Sequence, residues 1–286
     1  METEFKEKTY EKYFSHEIAR LTNTTFSPDQ IDEGLLGFDD AFLIPIPWLA
    51  RYAPFVRRAR TARMHGILIQ EIAHLVTSFS RRMPPFRFNL FVQYKRPEHI
   101  VSHFATEWPD WQVAYYRYKV TPHQHVLLEQ LEIRGRGRAA TVYASPAFWR
   151  AADLWTHVQN ESIIESSNIT SVIRLNGHGR YSYVRAGFQG KAHSDTSDIS
   201  SSPLQEIIDS GRRAGERLPL AQHLKNVADL IKEVVRTSDA ATALYSEARA
   251  TRSSPDVTED PLIDAILTID SFSDAFDISL YPVSDT

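Results

Sequence analysis

The sequence predicts a mixed α/β fold in which a mixed sheet is flanked by helices. Three observations carry this prediction. Short apolar runs of strand length alternate with longer stretches whose apolar residues recur at helical spacing. Pro, Gly and Ser/Asp clusters separate most of these segments. The chain has 286 residues and is 42% hydrophobic, enough to bury one large core, and shows no internal repeat.

Taken in order, residues 4–22 form the first expected helix. Phe5, Tyr10, Phe14, Ile18 and Leu21 recur mostly three and four residues apart, and the stretch LTNTTFSPDQ closes it. The run LLGFDDAFLIPIP (35–47) reads as a strand closed by Pro45 and Pro47. Residues 55–80 read as a helix with GILIQEIAHLV as its apolar centre, stopped by Pro84 and Pro85. Strands are expected at 88–95, 111–120 and 138–145. Between the last two, residues 121–135 have a Thr-Pro start and a Gly stop, which mark a helix. A further helix is expected in PAFWRAADLWTHVQ (146–159), then a hairpin over 166–184 turned at Asn176–Gly177. The Ser- and Asp-rich stretch 193–203 reads as a linker, followed by helices at 203–214 and 219–249 and an acidic tail.

Composition excludes several function classes. There are no cysteines, so disulfide scaffolds, thiol nucleophiles and Cys-ligated zinc are ruled out. No apolar run reaches the roughly 18–20 residues of a membrane span. The N-terminus, METEFKEKTYEKYF, is too charged for a signal peptide, so a cytoplasmic protein without membrane contact is expected. Net charge is only −4, but its distribution is uneven. Between Arg51 and Arg96 there are ten basic residues and one acid, Glu71, whereas from Thr251 onward eight acids face Arg252 alone. A basic segment in an acidic chain predicts one face for an anionic partner. Within it Arg57, Arg58, Arg60 and Arg63 are the expected nucleic-acid contacts, because i, i+3 spacing puts Arg57 with Arg60, and Arg60 with Arg63, on one helical side.

The segment FNLFVQYKRPEHI (88–100) carries the chemistry. Residues two apart on a strand share a face, so Gln93 and Lys95 project together while Val92 and Tyr94 face the other way. A buried ammonium is costly unless it meets an anion. The matching oddity is Asp39–Asp40 inside LLGFDDAFLI. An aspartate on one apolar strand, an amide and a lysine on another, and a glutamate from the first helix would bind a divalent metal and a phosphodiester. Mg²⁺ takes hard oxygen ligands and keeps several waters, so one or two carboxylates and a phosphate oxygen suffice. The bland alternative is an Asp–Lys salt bridge at a strand end.

The residues HEIARL, LLGFDDAF and LFVQYKRPE, followed by QHVLLEQL and AATVYAS, resemble the PD-(D/E)xK nuclease superfamily in its Mrr-like QxK form. The resemblance covers roughly residues 5–150. It implies a restriction-endonuclease-like fold and a Mg²⁺- or Mn²⁺-dependent endonuclease acting on DNA, in restriction or anti-phage defence. It also implies action as a homodimer or beside a companion sensor protein. Carried onto this sequence, Glu17 in HEIARL becomes the helix acid, Asp39 the metal-binding aspartate, and Gln93 and Lys95 the QxK pair, with Asp39, Gln93 and Glu17 on the metal. Asp39 is preferred to Asp40 because its face neighbours Gly37 and Ala41 leave room, whereas Phe38 and Phe42 flank Asp40. On this reading residues 1–192 form the nuclease-like domain, with a basic helical insertion at about 48–86, and residues 203–286 form a C-terminal helical extension. Two rivals stand beside it: a catalytically inactive module of the same fold that binds nucleic acid or a protein, and an RNase of the same fold.

Other residues are read more plainly. His123 and His125, two apart on a helix, do not share a face and are expected on the surface. Gln124 is a candidate to approach the site from its helix. RGRGR (134–138) reads as a helix stop, and Leu224, Val227, Ile231 and Val234 as a packing or dimer stripe.

Overall fold

The computed structural model describes residues 1–22, 85–250 and 261–285. Strand β1 (Phe86–Tyr94) lies at its centre and is buried along almost its whole length. It pairs in parallel with β4 (Ala139–Pro146) and antiparallel with β9 (Ser279–Ser284), and β5 (Ser167–Ser171) completes a mixed sheet in the order β5-β4-β1-β9. Both faces of this strand are covered, and they differ: Phe88, Leu90, Val92 and Tyr94 make one face wholly apolar, while Arg87, Asn89 and Gln93 flank Phe91 on the other.

The pleat divides β1 between two cores. Phe88, Leu90, Val92 and Tyr94 join Val142 and Ala144 of β4 on one face. There they meet Tyr10, Phe14 and Ile18 of α1 (Glu7–Leu21), with Leu154 and Ile208 from later helices. Phe91 and Tyr143 project to the other face. Leu127, Leu128 and Leu131 of α3 (Pro122–Gly135) cover them there, together with the apolar stripes of two C-terminal helices. Each fully buried side chain of this size stabilises the fold by about 1.5–3 kcal/mol. Helix α3 also makes the crossover into β4 that a parallel pair requires, so its N-terminus lies at the carboxyl end of β1.

A second sheet is antiparallel, in the order β2-β3-β6-β7-β8. Its strands are β2 (Glu98–Ile100), β3 (Tyr115–Lys119), β6 (Arg180–Tyr183), β7 (Gln189–His193) and β8 (Ser197–Ser200). Tyr118, Tyr181 and Tyr183 bring it onto the same core as Phe91 and Tyr143. Helix α2 (Trp108–Trp111) is one turn before β3. The remaining helices are α4 (Ala151–Gln159), α5 (Leu204–Ala214), α6 (Leu220–Val235), α7 (Asp239–Ala250) and α8 (Pro261–Phe276).

The mixed α/β class is therefore present, and four local expectations need correction. The hairpin over 166–184 does not form: its two strands, β5 and β6, belong to different sheets. The turn itself is real, since Gly177 has φ of 80°. The expected linker 193–203 contains β8, paired in register with β7. The expected strand 111–120 begins only at Tyr115, because Trp108–Trp111 is helical. The long helix 219–249 is two helices, broken between Val235 and Asp239.

The acidic tail completes the core. Ile266, Leu267, Ile269, Phe272 and Phe276 of α8 and Ile278 and Leu280 beyond it are all buried. Among its described carboxylates, Asp264 accepts from Lys232 and Arg249, both at 2.7 Å, and Asp285 pairs with Arg87 at 2.9 Å. The segment expected to form a separate extension thus supplies β9, a neighbour of β1. The stripe Leu224, Val227, Ile231 and Val234 is buried against α8 inside the chain. No described helix is long and apolar enough to cross a membrane.

Candidate active site at the end of strand β1

Gln93 and Lys95 come from the carboxyl end of β1, on the face that carries Phe91. The backbone there is held firmly. The Lys95 N–H donates to the Ala144 carbonyl at 2.9 Å, and Ser145 Oγ donates to the Lys95 carbonyl at 3.0 Å. Gln93 stands opposite Tyr143 in the parallel register. Its side chain is 1% exposed, and Oε1 has no hydrogen-bond partner among the described residues. Lys95 is 9% exposed, with Nζ 5.4 Å from the centroid of the Tyr143 ring.

The anions that answer Lys95 are Glu7, in the first turn of α1, and Asp277, just past α8. Burial lowers the Lys95 pKa below the usual lysine range, against the attraction of those two carboxylates. Burial likewise raises the Glu7 pKa, although Lys95 and the Arg96 backbone N–H, 2.9 Å away, pull it back. Both groups are therefore driven toward their neutral forms by desolvation and held charged by each other. Glu11 and Lys8 extend the cluster: Lys8 bridges Glu11 at 3.0 Å and Asp277 at 2.9 Å, and Ser279 donates to Glu11 at 2.7 Å.

The helix acid at this edge is Glu7, and the expected Glu17 lies elsewhere. The Glu17 carboxylate accepts the backbone N–H groups of Ile163 and Ile164, at 2.7 and 2.9 Å, in the turn after α4. Both glutamates sit on α1, but it is Glu7, in its first turn, that meets Lys95 and the Arg96 N–H. Gln124 is also engaged, donating to the Phe276 carbonyl at 2.9 Å and tying the start of α3 to the end of α8. His125 is not the surface residue its spacing suggested. It is 7% exposed and stacks on Tyr143, whereas His123 is exposed. Asp39, Asp40, Arg57, Arg58, Arg60 and Arg63, with the strand and helix expected at 35–47 and 55–80, lie outside the described residues.

No family model, curated protein or solved structure matches this chain. The chemistry of the site rests on its own residues.

Among the described residues no three His, Cys, Asp or Glu side chains gather as a metal site. What the edge of β1 does offer is a buried amide oxygen without a partner and a carboxylate beside a lysine. One other cluster has the order of an acyl-transfer triad: Ser182 Oγ lies 2.6 Å from His193 Nε2, and His193 Nδ1 lies 3.9 Å from Asp110. It is not arranged for that chemistry. Ser182 Oγ already accepts the Trp111 indole N–H at 2.8 Å, and Asp110 stands beyond hydrogen-bond reach of His193.

Proposed function

We propose that this chain is a metal-dependent endonuclease that hydrolyses DNA phosphodiester bonds at the carboxyl end of β1. The observation that carries the reading is the pairing there of an unpartnered, buried Gln93 Oε1 with a buried Lys95 whose anion is Glu7. A buried acceptor left unsatisfied costs about 1–3 kcal/mol unless something binds it. A hard divalent cation is a fitting occupant, because Mg²⁺ and Mn²⁺ take neutral and anionic oxygens together.

The donors present fit such a cation in kind. Gln93 Oε1 and the Glu7 carboxylate would hold it, with Asp39 as the expected further carboxylate. When bound, the ion would polarise the phosphoryl group and lower the pKa of a coordinated water. The chain's own groups do the rest. Lys95 offsets the negative charge that grows on the phosphoryl oxygens as water attacks phosphorus and the bond to the leaving sugar oxygen breaks. Its lowered pKa also lets it exchange a proton with the attacking water more readily than an exposed lysine would. Glu7 keeps Lys95 in place, and the backbone bonds to Ala144 and Ser145 fix its origin.

The test is side-by-side digestion of duplex DNA, single-stranded DNA and RNA by the full chain with Mg²⁺ or Mn²⁺. Cleavage of duplex DNA that disappears with chelator is the expected result. Cleavage confined to RNA would select the RNase rival, and binding without cleavage the inactive module. A role in anti-phage defence, and a companion protein or second copy as partner, belong to the same proposal.

A further inference from the structure

A second buried polar atom near Lys95 lacks a partner among the described residues: His125 Nε2. His125 stands in the first turn of α3, and its Nδ1 is 3.0 Å from the Tyr143 hydroxyl. The two rings lie nearly parallel, with an interplanar angle of 7° and centroids 6.1 Å apart. Tyr143 in turn faces Gln93 across the β1/β4 register and carries the Lys95 ammonium over its ring. Lys95, Gln93, Tyr143 and His125 therefore form one contiguous group.

The tautomer follows from counting orphans. If Nδ1–H donated to the tyrosine oxygen, the Tyr143 O–H would lack an acceptor and Nε2 would keep an unpaired lone pair, leaving two orphaned groups. If the Tyr143 O–H donates to Nδ1, only the Nε2–H is left over. Each orphan costs about 1–3 kcal/mol, so the second arrangement is favoured. His125 then presents a fixed N–H donor with nothing to donate to, while Gln93 presents an acceptor with nothing to accept. A cation satisfies an acceptor, but a donor needs an acceptor oxygen, which a phosphoryl group supplies with negative charge. Helix α3 starts there with no side-chain cap at Thr121, so its N-terminal dipole also favours negative charge.

We infer that His125 is a further catalytic residue, whose Nε2–H donates to a non-bridging oxygen of the scissile phosphate, with Tyr143 as the positioning residue that holds its tautomer. This rests on the nuclease reading above and adds to it a donor for the charge that develops on the phosphoryl group.

The experiment uses the full chain with duplex DNA and Mg²⁺, comparing wild type, Lys95→Ala, His125→Ala, His125→Gln and Tyr143→Phe. Loss of one such donor lowers kcat by about 10²–10³-fold. His125→Ala is therefore expected to lose about that much in kcat with KM little changed. His125→Gln, which keeps an N–H at nearly the same reach, should recover part of the loss. Tyr143→Phe should lose less than His125→Ala. A readout apart from turnover is the His125 ring N–H resonance in wild type, expected to shift when a duplex with a cleavage-resistant phosphorothioate linkage is added. Wild-type cleavage abolished by Lys95→Ala but unchanged in folded His125→Ala, with no shift of the ring resonance, overturns the role of His125 and leaves the nuclease reading standing. Absence of any cleavage by wild type overturns both. Should His125→Ala not fold, His125→Gln and the resonance decide.

Discussion

Glu7 on α1 and Lys95 at the end of β1 attract each other across a partly buried edge, where burial opposes the charge of both, raising the Glu7 pKa and lowering that of Lys95. A pair kept solely for stability would be a poor choice at this position. Desolvation of two ions offsets much of their attraction, and well-packed neutral replacements often do better by about 1–4 kcal/mol. The double variant Glu7→Gln, Lys95→Met should therefore melt at or above the wild-type temperature while losing cleavage. A clear loss of stability would mean that the pair is structural.

Glu17 is expected to behave in the opposite way. Its carboxylate accepts two backbone N–H groups, from Ile163 and Ile164, and touches nothing at the end of β1. Glu17→Ala leaves both donors to water and should cost about 2 kcal/mol in denaturant unfolding. Cleavage under conditions where the variant stays folded should match wild type. An inactive but fully stable Glu17→Ala would restore it to the catalytic set.

His223 makes stability depend on pH. Burial, with a smaller contribution from Arg138, lowers its pKa from 6.5 to about 4, and its Nε2 meets Asn89 Oδ1 at 2.7 Å. The folded state therefore holds fewer protons than the unfolded state between those two values, so stability rises with pH across that window. The stabilisation is fully present above about pH 6.5 and is lost as pH falls toward 4. The amount is about 3 kcal/mol for a shift of this size. His223→Gln should flatten part of the acid limb, because Gln does not titrate. His16, His99, His125 and His193, which burial also lowers, contribute in the same direction. An acid limb identical to wild type would contradict this assignment.

The tail supplies a fourth prediction. Truncation at Ser253 removes α8 and β9, uncovers one edge of β1 and strips Phe272, Phe276, Ile278 and Leu280 from the core. An insoluble or thermally weakened protein is expected, since an exposed apolar strand edge invites aggregation. A soluble truncated protein that cleaves faster than the full chain would indicate that the tail restrains the site.

The parts of the fold legible in the sequence were those set by local pattern. The apolar run of β1, the Pro start and Gly stop of α3, and Tyr10, Phe14 and Ile18 of α1 lie where their pattern puts them. Features decided by distant partners were not legible. Asn176–Gly177 marks a real turn, yet no local signal says that β5 pairs with β4 while β6 pairs with β3. Ser and Asp in 193–203 suggested a linker because β8 is a half-exposed strand with few apolar residues. At the site, QxK was readable from strand alternation and the need of a lysine for an anion. The choice between Glu7 and Glu17 was not, because it depends on which end of α1 meets β1. His125 reads from its spacing as a surface residue in preference to a zinc ligand, and its burial against Tyr143 depends on the crossover from α3 to β4.

The most direct measurement is Mg²⁺-dependent cleavage of duplex DNA by purified wild type and Lys95→Ala, with folding of both verified by thermal unfolding. The account predicts cleavage by wild type that chelation abolishes, and a folded Lys95→Ala protein whose rate is lower by at least about 10²-fold. Equal rates for two folded proteins would contradict it.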